Sequence, residues 1–237
     1  MSVEMNTISD HIRAVQQADS SQAMLDATSA LASYNHGERA NGEAIACLVE
    51  VLGFNNPGAA VAAVDGLIQL GPVAVQPILD SLDPRNYGAR AWAVRALAGI
   101  GDVRGLDLLE EALASDVGPS VRRAAACGLG SLRLETLEPR QRAEVRQRAL
   151  EALLAGCRDG EWVVRYAVSV GLETLALRLD PPPGQRLQLL EALAGLAQPE
   201  LEETPVVRLR ARLAGQRLQT AAQAATAHGD APAAAGR

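Results

Sequence analysis

The chain contains no lysine; all 22 basic residues are arginine. That excludes Schiff-base chemistry on a lysine amine, and it excludes a phosphate-binding loop built around a lysine. Aromatic residues are almost as scarce, with one Phe, three Tyr and two Trp. The 48% of hydrophobic residues must therefore be mostly Ala, Leu and Val. Such a core suits close-packed helices and argues against a β-sandwich or barrel. Cys47, Cys127 and Cys157 are too few and too dispersed for a disulfide framework. The N-terminus, Met1-Ser2-Val3-Glu4, has neither the basic start nor the apolar run of a signal peptide. No apolar run reaches the roughly 18 residues of a membrane helix. These absences lead us to expect a soluble, cytoplasmic protein without membrane contact.

Charge of one sign is also missing where a nucleic-acid binder needs it. Net charge is −6, and residues 1–83 hold only Arg13 and Arg39 against ten acids. No strongly basic stripe compensates, so a nucleic-acid partner is not expected. The acidic N-terminal third is either a solvated face or a device that steers a basic partner.

Catalytic motifs are absent as well. There is no Gly-x-Ser-x-Gly elbow and no dinucleotide fingerprint after a strand. His11, His36 and His228 lie far apart without acids or cysteines at metal-ligand spacing, so they are expected to be solvent-exposed and no metal site is expected. Cys127 follows Arg123 by one helical turn. It is either a nucleophile whose pKa the arginine lowers or a small thiol at the edge of the core.

What the chain does contain is a repeat. Ala89 to Leu97, Val121 to Leu129 and Val164 to Leu172 share one helical pattern, and the segment around Val207-Arg208 follows it more loosely. Arg90, Arg122, Arg165 and Arg208 fall in one column at spacings of 32, 43 and 43. Asp83, Asp116, Asp159 and Glu202 precede them by six or seven residues. A further copy, Ala59 to Gly71, has Ala60 in place of the arginine and Phe54 in place of the acid. The two are lost together, so acid and arginine are expected to touch, an acid at a helix junction pairing with an arginine in its own repeat and with the next. Asp83, Arg90, Asp116, Arg122, Asp159 and Arg165 then form a ladder that fixes repeat geometry. Self-similarity at this period predicts an all-α, HEAT-like α-solenoid of about five to six helix pairs.

The punctuation fits that reading. Residues 8–33 read as two helices broken near Asp19-Ser20. Pro57 and Pro119 sit where a first helical turn tolerates a missing N–H. Gly71-Pro72 and Gly101-Asp102 end one helix and cap the next. The expected organisation is an N-terminal helical cap over 1–41 and repeats over 42–180. A helix pair over 181–224 and a disordered Ala-rich tail over 225–237 complete it.

With the column arginine as position zero, −1, +2, +3 and +7 read as buried, and +1 and +5 as one exposed face. That face carries Val61, Asp65, Ala91, Arg95, Arg123, Cys127, Tyr166 and Val170. Four of the six aromatics open two of the repeat helices: Tyr87 with Trp92, and Trp162 with Tyr166. Trp92 occupies a slot that holds alanine at 124 and 167. It either packs in the core or faces a flat ligand or a protein partner.

The stretches Gly53 to Leu67, Asn86 to Leu97, Pro119 to Ala126 and Glu161 to Ala167 resemble the HEAT-repeat E/F-type phycobilin lyases, most closely the F-type branch that serves the phycocyanin α-subunit. The resemblance spans residues 42–178. It implies a heterodimer with an E-type subunit. That heterodimer binds a bilin, phycocyanobilin or a related one, as substrate and joins it by a thioether to a cysteine of an apo-phycobiliprotein α-subunit. Isomerising members of the F-type branch carry an Asn-His-Cys motif. Here Asn35-His36-Gly37 and Asn86-Tyr87-Gly88 lack the cysteine, which favours simple ligation. No cofactor is implied and no catalytic residue is carried over. From helix phase, Asp65, Tyr87, Trp92, Arg95, Arg123, Trp162 and Tyr166 are the candidate bilin or partner contacts. The alternative is a non-catalytic HEAT scaffold or adaptor for phycobiliprotein assembly or turnover, with bilin detachment as a variant.

Overall fold

The computed structural model describes residues 7–34, 42–83, 85–179 and 181–229, with side chains to residue 224. Among these residues there are twelve α-helices and no strand. They are α1 (Ile8–Gln16), α2 (Ser21–Ser33), α3 (Gly42–Val51), α4 (Pro57–Leu70), α5 (Val75–Asp80) and α6 (Tyr87–Ile100). There follow α7 (Leu106–Ser115), α8 (Pro119–Gly130), α9 (Pro139–Gly156), α10 (Trp162–Leu179), α11 (Pro183–Leu196) and α12 (Pro205–Gly229). In sequence they alternate as six A–B pairs, the arrangement of a HEAT-like α-solenoid. The chain divides into two compact units, Met1–Ala112 and Leu113–Arg237, with the division inside α7.

Local chemistry sets the boundaries. Asn56 and Asn86 cap α4 and α6 by accepting from the N–H of Ala59 at 3.1 Å and of Ala89 at 3.0 Å. Pro57, Pro119, Pro139 and Pro183 open their helices, where no intrahelical donor is needed. Gly71 and Gly101 close α4 and α6 with φ of 73° and 71°, which only glycine adopts without strain. Val73–Leu82 reads in sequence as one helix. It is instead a 3-10 turn at Gly71–Ala74 followed by the short α5, because Pro72 and Pro77 remove two backbone donors.

The run Pro57–Asp80 is apolar enough over 18 residues to cross a membrane, with a mean hydropathy of 1.6. This corrects the expectation that no such run exists. It is broken at Gly71, however, and α4 packs between α2 and α6 in the first unit. Its apolar face is core.

In the second unit α10 packs between α8 and α12. Helices α4 and α10 thus have B-helix neighbours on both flanks as well as an A helix behind, and their buried arc is wider than one stripe. Positions −1, +3 and +7 are buried as expected in α4, α8 and α10. Position +4 (Val64, Val94, Ala126, Ser169) and position +6 (Gly66, Ala96, Gly128, Gly171) are buried too. The sequence reading did not include these; at +6 the neighbouring repeat adds to the A helix, since a Cβ on Gly66 would meet Ala32 as well as Leu48, and one on Gly171 the Ala126 carbonyl as well as Leu153. Position +2 varies: Ala167 is buried, while Trp92 and Ala124 are only half-buried. At +6, glycine permits backbone contact: a Cβ on Gly171 would lie 2.5 Å from the carbonyl oxygen of Ala126.

His11 is buried rather than exposed. Its ring lies tilted against Tyr34, 4.9 Å between centroids. His36 and the Asn35-His36-Gly37 motif lie outside the described residues, and so do residues 230–237. Helix α12 itself continues to Gly229, past the expected boundary at 224.

Candidate functional site

The acid–arginine column supplies the first local geometry. In the second unit Arg122 donates from Nε and Nη2 to both carboxylate oxygens of Asp159, at 2.7 and 2.9 Å. Its Nη1 donates to the main-chain oxygen of Asp116 at 2.8 Å. Arg165 repeats the pattern, with Glu202 at 2.6 and 2.8 Å and the carbonyl of Asp159 at 2.8 Å. The contacts of the column run both within a repeat and between repeats. Each arginine takes its own repeat's acid through the backbone and the next repeat's acid through the carboxylate. The physical reason is local. Six residues before the arginine, the acid closes the junction by accepting a backbone N–H two residues ahead: Gly118 onto Asp116, Glu161 onto Asp159, Thr204 onto Glu202. That turn aims the carboxylate at the preceding repeat.

These pairs are nearly buried. Arg165 and the Thr204 N–H hold the Glu202 carboxyl down at about 2. Burial alone would raise Asp159, but Arg122 and the Glu161 N–H outweigh it and hold the carboxyl below the usual range. Arg90 contacts Glu111 at 3.2 Å, and Asp83 bonds Arg85.

The candidate contact residues fall in both units. In the first, Asp65 lies exposed on α4 and Arg95 exposed on α6. Trp92 is half-buried, and the Arg95 guanidinium lies 5.0 Å from its ring centroid. The two form a flat cationic–aromatic platform. Tyr87, at the start of α6, is 71% exposed. In the second unit Arg123 is exposed on α8, Tyr166 is half-buried on α10, and Trp162 is 46% exposed at the start of α10. Trp92 with Arg95 is the one candidate pair for which the structure records a direct contact. Cavities of about 400 and 420 Å³ lie elsewhere. One sits between α3, α5 and the start of α6, beside Glu50 and Asp83; the other sits between α11 and α12.

Cys127 is not an activated thiol. Burial pushes its pKa up, and the opposing influence of Arg123 and Arg210 does not cancel this. Cys47 and Cys157 are pushed to about 11, also by burial. No group of three metal-ligating residues exists among the described residues.

Sequence reasoning missed one charged cluster. Glu173 is buried on α10 and accepts from Arg210 Nη2 and, at 3.2 Å, from Arg217 Nη1, both on α12. Arg210 Nη1 is buried without an acceptor among the described residues. The signal was available: Glu173 sits at +8, where α6 and α8 carry Ala98 and Gly130. A charge in a row of small residues needs a counter-ion from the facing helix.

The HEAT-repeat family matches residues 48–130 and 75–173. The bilin biosynthesis protein RpcF of Synechococcus sp. (strain WH8020) is 53% identical over 176 residues, covering 74% of this chain and 81% of that one. The phycocyanin alpha phycocyanobilin lyase CpcF of Synechocystis sp. is 50% identical over 165 residues, covering 70% and 75%. Among solved structures, the complex of CpcE and CpcF of phycocyanin lyase from Nostoc sp. PCC7120 aligns with a TM-score of 0.65 and 44% identity, covering 73% of this chain and 99% of that one.

Proposed function

The chain belongs to the HEAT-repeat family of phycobilin lyase subunits, and from that premise we propose that it is the F-type half of a heterodimeric lyase working in the cytoplasm. With an E-type partner it joins a linear tetrapyrrole, phycocyanobilin or a related bilin, to a cysteine of an apo-phycobiliprotein α-subunit. Similarity to lyase subunits over most of the chain carries this reading.

The chemistry does not need a nucleophile on this chain. The acceptor cysteine adds S–H across the exocyclic double bond of the bilin. A carbon–sulfur bond forms at the ethylidene carbon and the proton ends on the adjacent ring carbon; nothing is oxidised and no group leaves. The rate then depends on holding two reactants in register, which can supply about 7–11 kcal/mol of the barrier. This agrees with three cysteines whose thiols are all held protonated.

A bilin offers propionates, a π-system and pyrrole N–H groups. In the first unit we assign Arg95 to a propionate, Trp92 to stacking and Asp65 to N–H groups. In the second unit Arg123, Tyr166 and Trp162 are assigned to the bilin or to a protein partner, as is Tyr87 in the first.

The test is co-expression with an E-type subunit, an apo-phycocyanin α-subunit and a bilin-producing pathway, with this chain omitted in a control. Covalent bilin is read by zinc fluorescence on a denaturing gel. Attachment that requires this chain supports ligation. Equal attachment without it overturns the proposal for that substrate and points to a scaffold or detachment role, which incubation with pigmented holo-protein then separates.

A further inference from the structure

Two guanidiniums share one carboxylate in the second unit. Glu173 is the only acid that α8, α10 and α12 carry. Its side chain is 5% exposed and accepts from Arg210 Nη2 and from Arg217 Nη1, the latter at 3.2 Å. The cluster therefore holds one positive charge more than it neutralises. Water does not absorb the excess at Arg210. That side chain is 10% exposed, and its Nη1 has neither solvent nor an acceptor among the described residues. A desolvated guanidinium with a donor left unused is costly in the free chain, and a nearby anion offsets that cost.

Arg217 is where an anion gains access. Its side chain is 58% exposed and only Nη1 is engaged, so the Nε–Nη2 edge has no acceptor among the described residues. A buried carboxylate steadies the guanidinium by one arm, which leaves the other edge presented for bidentate contact with a second carboxylate. The surroundings add charge and apolar surface. The Cys127 thiol feels both Arg123 of α8 and Arg210 of α12, which puts these guanidiniums on one patch. Tyr166 is half-buried seven residues before Glu173, two turns back along the same side of α10. Leu213, one turn before Arg217, is 40% exposed.

We propose that Arg217 receives a propionate of the bilin on its Nε–Nη2 edge, with Arg123 adding attraction and Tyr166 and Leu213 lying against the tetrapyrrole. The proposal rests on the lyase reading above and adds the residue that recognises the substrate's charge. Chemistry selects the occupant. A bilin is flat and largely apolar, and its propionates are carboxylates; the phenol ring, the leucine and the open edge answer these features in turn.

Two variants of the full chain test this, Arg217→Gln and Arg123→Gln, both at exposed side chains. Each is paired with the E-type subunit, without an acceptor protein. Binding of phycocyanobilin is followed by its absorption and compared with binding of the dimethyl ester, which has the same rings and no carboxylates. We expect Arg217→Gln to weaken binding of the free acid about ten-fold or more, a factor that corresponds to ~1.4 kcal/mol. Arg123→Gln weakens it less, and the ester binds alike to both variants and to the unsubstituted heterodimer. If Arg217→Gln weakens acid and ester equally, or neither, while the unsubstituted heterodimer attaches bilin to the α-subunit, the site is wrong and ligation stands. An unsubstituted heterodimer that neither binds nor attaches bilin overturns both. Loss of E-type binding by Arg217→Gln, read by calorimetry, makes the open edge a protein contact and overturns the proposal.

Discussion

Replacing Glu202 with glutamine isolates one rung of the ladder. The side chain keeps its size, and an amide oxygen can still accept the Thr204 N–H; what is lost is the negative charge facing Arg165. The carboxyl is held at about 2 against an ordinary 4.5. At ~1.4 kcal/mol per pKa unit, that difference is worth about 3 kcal/mol at neutral pH. Breaking a buried ion pair by removing one partner costs about 3–5 kcal/mol in general, which brackets the same figure. Glu202 is 2% exposed, so solvent screening does not erase it. The sign follows from linkage. A carboxyl depressed in the folded state stabilises fully above its unfolded pKa, and the contribution is lost as pH falls through the folded value. The Glu202→Gln deficit should therefore be about 3 kcal/mol at pH 7, still nearly full at pH 5.5, and shrink between pH 4.5 and 2. Urea unfolding followed by far-UV circular dichroism at pH 7, 5.5 and 3 measures it. A deficit below about 1 kcal/mol at pH 7, or one that does not change with pH, refutes the argument that the charge pair holds the last repeats together.

Three further outcomes follow from particular contacts. Gly171→Ala should lower stability by about 1–3 kcal/mol despite its better helix propensity, because the new Cβ lies 2.5 Å from a backbone oxygen of α8; thermal melting checks this, and an unchanged Tm would mean the helices can part freely. Thiol labelling of the native protein with Ellman's reagent at pH 8 should be slow for all three cysteines, since burial raises each pKa; rapid modification of Cys127 would reinstate it as a reactive group. Trp92→Ala and Arg95→Ala should each reduce bilin attachment about ten-fold or more in the co-expression assay. A melting curve separates this from misfolding, and full attachment by a folded variant removes that residue from the proposed contact set.

Much of the fold was legible because its signals are local. The prolines in first turns and the positive-φ Gly71 and Gly101 act within one turn of themselves, so those helix ends could be read residue by residue; the Asn56 and Asn86 caps are equally local but were found only in the structure. The period of the arginine column then identified a stack. Of the candidate contacts, the pair Trp92 and Arg95 is also local, three residues apart on one helix, and the structure places them together.

Sequence by itself thus determined most of the helices, their order and the period of the repeat, though not the 3-10 turn at Gly71–Ala74, since capping, backbone permissiveness and apolar spacing are near-neighbour properties. Tertiary structure alone decided which arginine each acid serves. Asp159 meets Arg122 and Glu202 meets Arg165 across 37 residues, because a turn at the junction commits the backbone to one repeat and aims the carboxylate at another. Packing also decided that positions +4 and +6 are buried, that Cys127 keeps its proton and that Glu173 pairs with Arg210. These depend on what a neighbouring helix places opposite a residue, and a single helix's periodicity carries no record of it.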